Sequence, residues 1–344
     1  TIRVVKFTSD GRGEFVLKKN QTMYAEVIEA RESHMTLNTN VHVEHGANLV
    51  LASNLTVDGA SLTVEGKLSD VRHLTVESLS RVKFGLYSQT AIMKGENFLF
   101  ESAPGTQQFA SITLKSGSDF GAPQELNINV GLLDIKNGVS LRGKFISINS
   151  QTLFIGRGAL LAASNNNIGV EPGQNSPKGA SGGGHGNSGG AGYNGLRGGG
   201  AFGTIYRPSQ PGSSGGDGLI NNSRGNGGGV IKITTDILLN DGSITSDGGN
   251  ASPMLKGGGG SGGSVLIISQ KTFSGTGVVS ANGGLGDGAG GCGAGGRVAI
   301  VVASRYFYRG KLEAYGGKSN TGRPGGSGTV FIEEVRSKRL YLHL

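Results

Sequence analysis

Short alternations of apolar and polar residues dominate the first half of the chain. The stretch "ANLVLASNLTVDGASLTVEGKLSDVRHLTVESLSRVKF" (47–84) alternates over runs of four to six residues, and Asp-Gly, Glu-Gly and Ser-Asp separate the runs. This pattern predicts short β-strands joined by tight turns. "LDIKNGVSLRGKFISIN" (133–149) continues it, whereas 85–130 fits it least and is expected to contain a side loop. No segment keeps a helical apolar spacing with caps, so little helix is expected.

A repeat of 32 to 35 residues marks the second half. Four strand-like runs follow glycine tracts: "GGGVIKI", "SGGSVLII", "GGRVAIV" and "GSGTVFI", with first valines at Val230, Val265, Val298 and Val330. A second marker keeps nearly the same step: "DGSITSDGG" (241–249), "TGVVSANGG" (276–284) and "RGKLEAYGG" (309–317). "ISINSQTLFIGRGALLAAS" (146–164) aligns as an upstream copy at a separation of 84 residues, across one insertion at about 165–229.

The aligned copies contain apolar columns that are expected to face inward, because successive strand residues point to opposite faces. The columns are Ile146, Val230, Val265, Val298 and Val330; Ile148, Lys232 (the exception), Ile267, Ile300 and Ile332; Phe154, Leu238, Phe273 and Tyr306; and Leu160, Ile244, Val279 and Leu312. The neighbours Thr245, Ser280 and Glu313 are expected to face outward.

Recurrence of like residues in register predicts an all-β, right-handed parallel β-helix, because one coil cannot bury its own apolar face. Residues 35–335 are predicted as this solenoid, including the insertion at about 165–229. Residues 1–34 are predicted as an N-terminal cap or the end of a preceding module. Residues 336–344 are predicted as a C-terminal strand that continues into a further module.

Glycine is the unusual feature of the composition, with 65 of 344 residues. Three explanations compete: a phosphate-binding loop, a calcium-loaded roll around "GGLGDGAGG" (283–291), and close packing of backbones. The glycines precede strands without a Lys-Ser/Thr pair, which disfavours a phosphate loop. The calcium repeat is incomplete at Asp287. Packing is favoured, with ordered corner loops that pair through main-chain hydrogen bonds, in an extended polyproline-II-like form.

Charge and cysteine content narrow the classes of function. The net charge is +8, but Lys and Arg are scattered, so nucleic-acid binding is not expected. No apolar run approaches the ~18 residues that span a bilayer, so a membrane-spanning segment is not expected either. Cys292 is the single cysteine, expected as a small filler or, if exposed, as an intermolecular thiol. Four sequons, at Asn20, Asn54, Asn221 and Asn250, are glycosylation candidates. The chain starts at Thr1, which is compatible with a removed signal.

Catalytic and metal chemistry have little support in the sequence. Aligning the repeats gives no acidic column, since Asp247 aligns with Asn282 and Tyr315. "HVEH" (42–45) lacks the helical spacing of a metalloprotease, and His185 stands alone in the insertion. Neither a catalytic residue nor a cofactor or metal ligand is therefore predicted.

The order of motifs from "GGGHGNSGG" through "GGGVIKI", "GSITSDGG", "GAGGRVAI" and "GGSGTVFIE" resembles the glycine-rich repeat region of very large extracellular proteins of plants, protists and some invertebrates. The resemblance covers about 146–335 and implies a surface or matrix protein, with no catalytic residues to carry over.

The expected function is a structural rod or spacer of a secreted protein, in an extracellular filament, flagellar hair or matrix. Its expected partners are other copies, other filament or matrix proteins, or glycans. Two alternatives remain: a carbohydrate-binding adhesin or tailspike-like fibre, and a polysaccharide lyase or hydrolase. The enzyme is an alternative because parallel β-helices often house polysaccharide lyases and hydrolases.

Overall fold

The computed structural model describes the strands of residues 2–121, and then residues 125–165 and 168–343 without a break. Side-chain environments are described for 131–165 and 168–343, and for Val41 and Ile128. The described part is all-β: its one helical element is a short 3-10 turn, Tyr193–Gly195. Strands pair mostly in parallel, with a few antiparallel pairs. The chain divides into two compact units: residues 1–160 with 235–242, and residues 161–234 with 243–344.

The strands before the insertion are β1 (Ile2–Val4), β2 (Glu14–Leu17), β3 (Thr22–Ala25), β4 (His34–Leu37), β5 (Asn40–Val43), β6 (Asn48–Val50), β7 (Asn54–Asp58), β8 (Ser61–Val64), β9 (Lys67–Ser69), β10 (His73–Glu77), β11 (Arg81–Phe84), β12 (Thr90–Lys94), β13 (Asn97–Leu99), β14 (Phe109–Leu114), β15 (Asp119–Gly121), β16 (Glu125–Ile135), β17 (Ser140–Gly143), β18 (Phe145–Ile155) and β19 (Leu160–Asn165). Those after it begins are β20 (Gly227–Gly228), β21 (Val230–Asn240), β22 (Ser243–Thr245), β23 (Ser264–Gly275), β24 (Val278–Ser280), β25 (Arg297–Val302), β26 (Arg305–Tyr308), β27 (Lys311–Glu313), β28 (Thr329–Glu334) and β29 (Arg339–His343).

The first unit repeats at a shorter step than the second. One parallel series runs β4-β7-β10-β14-β16-β18, a second β2-β5-β8-β11-β15-β17, and a third β1-β3-β6-β9. Leu55 lies opposite Leu74, and Leu126 lies opposite Ile146. The step from β10 to β14 is nearly twice as long, because the intervening chain contains the antiparallel pair β12–β13. This irregular step falls where the side loop is predicted.

The second unit repeats at the longer step that the sequence predicts. Val265 lies opposite Val298, and Val298 opposite Val330. The series β22-β24-β27 places Ile244, Val279 and Leu312 in register, and β26 aligns Tyr306 with Phe273. These registers confirm both repeat markers within this unit. The predicted C-terminal strand is β29, which runs antiparallel to β28.

The upstream copy is misaligned by one residue in the sequence prediction. Strand β18 buries Ile146, Ile148, Ser150, Leu153 and Ile155, and β21 shows the same pattern, shifted by one position from the predicted alignment. The Ser150 hydroxyl donates to Thr235 Oγ1 at 3.1 Å, which gives a step of 85 rather than 84.

Several residues of the predicted columns are therefore wrong, because a slip of one residue moves every side chain to the other face. Lys232 is exposed because Ile231 and Ile233 are the fully buried residues of β21. Leu153 is buried in β18, and its neighbour Phe154 is only half-buried. In β19 the buried residue is Leu161, not the predicted Leu160.

Both faces of the strand series β23-β25-β28 are buried. The predicted inward residues Val298 and Ile300 are fully buried, but Leu266, Ala299 and Phe331 also form a buried cluster. Ile205 of the insertion packs against that cluster. Tyr206 meets the Phe331 ring edge-on, with ring centroids 4.9 Å apart. The insertion thus covers a face that the sequence pattern left mixed.

Candidate functional site: the glycine layer and its buried polar centre

The glycine tracts of the second unit are ordered and bonded to each other. Each tract leaves a strand, turns, and returns to the next strand. Main-chain bonds link outgoing and returning arms in a relay: Gly260 N donates to Gly249 O, Gly284 N to Gly260 O, Gly293 N to Gly284 O, and Gly317 N to Gly293 O, all at 2.8–3.0 Å. Backbone polar groups that the tracts bury are thereby paired, as buried backbone groups require.

The hydrogen-bonded glycine tracts of the second unit are called the glycine layer, and the insertion at about 165–229 belongs to it. Gly183 N donates to Gly259 O, Gly259 N to Gly291 O, and Gly291 N to Ala180 O, at 2.8–3.0 Å. These three bonds join the insertion to two successive tracts. The residues at about 165–229 are therefore a structural part of the second unit rather than an appended loop.

Close approach, not turn geometry, explains most of the glycines. A Cβ on Gly293 would overlap the carbonyl oxygen of Gly260, and a Cβ on Gly182 would overlap that of Cys292. Among the described residues, only eight glycines have a positive φ. The packing explanation is confirmed for these tracts, because the obstructing atoms are backbone atoms of neighbouring tracts.

A buried polar centre fastens the insertion to strand β25. Arg297 donates from Nε and Nη2 to the Phe202 carbonyl, at 2.9 and 2.7 Å. Its Nη1 reaches Thr329 Oγ1 at 3.4 Å. The neighbouring His185 ring lies 4.7 Å from the Phe202 ring, between centroids. Bonds from a cation to a carbonyl are among the stronger hydrogen bonds, so Arg297 is a strong tie to the insertion.

His185 is fully buried and neutral. Its Nδ1 lies 2.7 Å from the Gly262 carbonyl oxygen, which can only accept, so Nδ1 carries the proton. Nε2 is then an acceptor, and it is buried without a hydrogen-bond partner. The pKa of His185 is lowered to about 4, mainly by burial and also by the positive charge of Arg297, while the bond to Gly262 O opposes the shift.

A ladder of side chains links the segments that follow β22, β24 and β27, at positions 247, 282 and 315. Asp247 Oδ1 accepts from Asn282 N at 2.6 Å, and Asn282 Oδ1 accepts from Tyr315 N at 2.8 Å. These three residues occupy one aligned position of the repeats, where the sequence shows no acidic column. Ser280, predicted to face outward, is buried, and its hydroxyl donates to Asp247 Oδ2 at 3.1 Å. The column therefore has a structural role: each oxygen caps the backbone of the next repeat.

The sequence-predicted site residues are not brought together as one site. Asn221 and Asn250 are exposed in the second unit, Asn54 lies in β7, and Asn20 lies outside the described residues. Cys292 is fully buried, and Gly286 N donates to its sulfur at 3.4 Å, so in this conformation the thiol cannot reach another chain. This burial matches the small-filler alternative.

The His, Asp and Glu residues of the candidate metal motifs do not form a site either. His42 lies in β5, whereas Glu44 and His45 lie outside the described residues. Asp287 Oδ2 accepts from Lys256 N at 2.8 Å and so supports a turn. In the described part of the chain, no group of three His, Cys, Asp or Glu side chains is placed to hold a metal ion. Nor does any helix there have the length and apolarity to cross a bilayer.

Sequence reasoning missed the roles of His185, Phe202 and Arg297. The signal available was weak: a lone histidine in a glycine tract, and the arginine that begins "RVAIV". Comparison with known proteins gives no relative: no protein-family model, no curated protein and no solved structure matches the chain.

Proposed function

We propose that this chain is a structural, non-catalytic module of a secreted protein, built as a right-handed parallel β-helix and acting as a stiff rod or spacer in an extracellular filament, appendage or matrix. The carrying observation is the glycine layer. Its tracts are hydrogen-bonded from repeat to repeat, and a Cβ at many of its positions would strike the neighbouring backbone.

The strand registers support the β-helix. Parallel partners recur at nearly constant steps, a short one for most pairs of the first unit and a longer one in the second. Consecutive parallel pairs at a fixed step are what stacked coils produce. The right hand follows from the strong preference of parallel crossovers.

The chemistry of the second unit supports a structural role. Several buried hydroxyl groups of its interior bond to backbone groups, as that of Ser261 does to Gly184 O and Ser213 O. Ser246 likewise donates to Gly229 O at 2.7 Å. Such bonds fix one conformation of the tracts, which suits a spacer that must keep its length under load.

Electron microscopy of the native protein, isolated from its source, is the test. The proposal expects extended rods or filaments in which this segment contributes a straight section. Isolated compact particles would overturn it. A fall in viscosity on incubation with uronic-acid polymers would favour the polysaccharide lyase instead, and binding on a glycan array would favour the adhesin.

A further inference from the structure

The turns at the ends of three glycine tracts lie side by side. The tip surface is defined by residues 218–223, 250–256 and 285–288. Leu219 N donates to Leu255 O at 2.7 Å, Ala251 N donates to Leu285 O at 2.8 Å, and Ser252 N donates to Ser223 O at 2.9 Å. These bonds connect each tip to the next, so the side chains of the three turns share one surface of the second unit.

Large apolar side chains are exposed on the tip surface. Met254 is 87% exposed, Ile220 57%, Leu219 48% and Leu285 41%. Met254 also has a φ of 64°, a left-handed conformation that is uncommon for such a residue. Single exposed apolar residues need no explanation, but a contiguous group marks a surface that something covers.

Two of the candidate sequon asparagines lie within this same surface. Asn221 directly follows Ile220 and is exposed. Asn250 is also exposed, and its Oδ1 accepts from Leu285 N at 2.8 Å. That bond fixes the orientation of the Asn250 amide through Oδ1. An N-linked sugar is attached at Nδ2 and leaves Oδ1 free to accept, so glycosylation of Asn250 is compatible with the observed bond.

We propose that Asn221 and Asn250 carry N-linked glycans and that these glycans cover the apolar tip surface. The inference rests on the proposed secretion, because the donor is a lipid-linked oligosaccharide diphosphate. Asn Nδ2 forms a bond to C1 of the first sugar as the bond from C1 to the diphosphate oxygen breaks. Nδ2 loses one proton, and the lipid diphosphate leaves with the electron pair. The attached sugars then keep the four apolar side chains from associating with a second molecule.

Secretion of the chain from a eukaryotic cell line behind a borrowed signal peptide tests the inference. Mass spectrometry after enzymatic deglycosylation in heavy-oxygen water is expected to find the label at Asn221 and Asn250 in most secreted molecules. A double variant, Asn221→Gln with Ser252→Ala, removes both sequons and keeps the Asn250 side chain. It is expected to bind several-fold more of an apolar-surface dye and to self-associate with increasing concentration.

Two controls link the effect to the tip surface. Adding Ile220→Ser and Met254→Ser to the double variant is expected to return dye binding to the glycosylated level. Asn320→Gln, at an exposed asparagine outside any sequon, is expected to change nothing. If the double variant is not secreted, enzymatic removal of the glycans from the folded glycoprotein gives the same comparison.

Absence of glycan at both positions, or unchanged dye binding and mass after its loss, would overturn the inference. The borrowed signal separates this result from the proposed function. If the protein carries the glycans but its native form is a compact particle, only the proposed rod function is contradicted. If the native protein forms filaments but both asparagines lack glycans, only the glycan inference is contradicted.

Discussion

The two units solve one packing problem in different ways. In the first unit the repeats are short, and three short strands follow one another, as β4, β5 and β6 do. In the second unit each repeat is longer, and the chain continues from β24 into a glycine tract at 281–296 before β25 begins. Apolar side chains are buried in the described part of the first unit, at 131–160, whereas bare backbones pack against each other in the glycine layer of the second.

The largest effect is expected from adding a methyl group to the glycine layer. Gly293→Ala places a Cβ against Gly260 O, and main-chain bonds to Gly284 and Gly317 hold the segment in place. We expect a loss of about 3 kcal/mol or more of unfolding free energy, at the upper end for overpacking. Hydrogen exchange in a urea series, read separately for the two units, measures it.

Gly200→Ala is the matched control for that substitution. The nearest atoms to its Cβ belong to the flexible Glu171 side chain, at 3.5 Å, so a change below about 0.5 kcal/mol is expected. Equal losses in the two variants would contradict the backbone-packing account.

Removing side-chain atoms, rather than adding them, is expected to destabilise the first unit. Leu133 is fully buried and lies opposite Leu153 in the parallel register. Leu133→Ala removes one methine and two methyl carbons and leaves a cavity, with an expected loss of about 2–5 kcal/mol. Thermal unfolding followed by circular dichroism checks the size. Exchange protection is expected to fall mainly in the first unit, and an equal fall across the glycine layer would show that the two units unfold as one.

Acid is expected to weaken the second unit through His185. Its pKa in the folded protein is about 4, below the ordinary value of 6.5. Between these two pH values the unfolded chain binds a proton at His185 and the folded chain does not. This contribution to stability is complete above pH 6.5 and is lost as the pH falls to about 4, by about 3 kcal/mol in total. Urea unfolding at a series of pH values measures it.

His185→Gln supplies the control for the acid effect. Both proteins contain the same acidic residues, so the difference between their pH profiles isolates the effect of the imidazole. Parallel profiles between pH 6.5 and 4 would show that burial of His185 does not govern acid stability.

The smallest effect is expected in the side-chain ladder. Asn282→Ala removes the acceptor of Tyr315 N, an exposed hydrogen bond, and should cost about 1 kcal/mol. Asn320→Ala, at an exposed asparagine of the next turn, should change stability by less than about 0.5 kcal/mol. A chemical denaturation series on both variants compares them, and a neutral Asn282→Ala would reduce the ladder to an incidental contact.

Much of the strand pattern could be predicted from the sequence. The valines at 265, 298 and 330 pair as aligned, because a repeated apolar residue flanked by glycine fixes where each strand begins. The predicted alignment of the upstream copy is wrong by one residue because the turn "GRGA" (156–159) is longer than its counterpart "DG" (241–242). The separation between corresponding residues of the two copies therefore differs before and after that turn. An alignment without a gap takes a value between the two separations and is wrong for both strands. The short step of the first unit is not among the sequence predictions, although "LTV" at Leu55 recurs at Leu74, its partner in the register.

The sequence by itself determined the all-β character, the strand starts and the demand for close backbone packing, because these depend on local alternation and on glycine's missing Cβ. Only the tertiary structure decided which tract pairs with which, that the insertion enters the same layer, and that Arg297 and His185 bury their polar groups against it. Those contacts join residues such as His185 and Gly262, which are 77 positions apart. Nothing local in the chain specifies such a partner, because a glycine tract carries no side chain to distinguish it from the next.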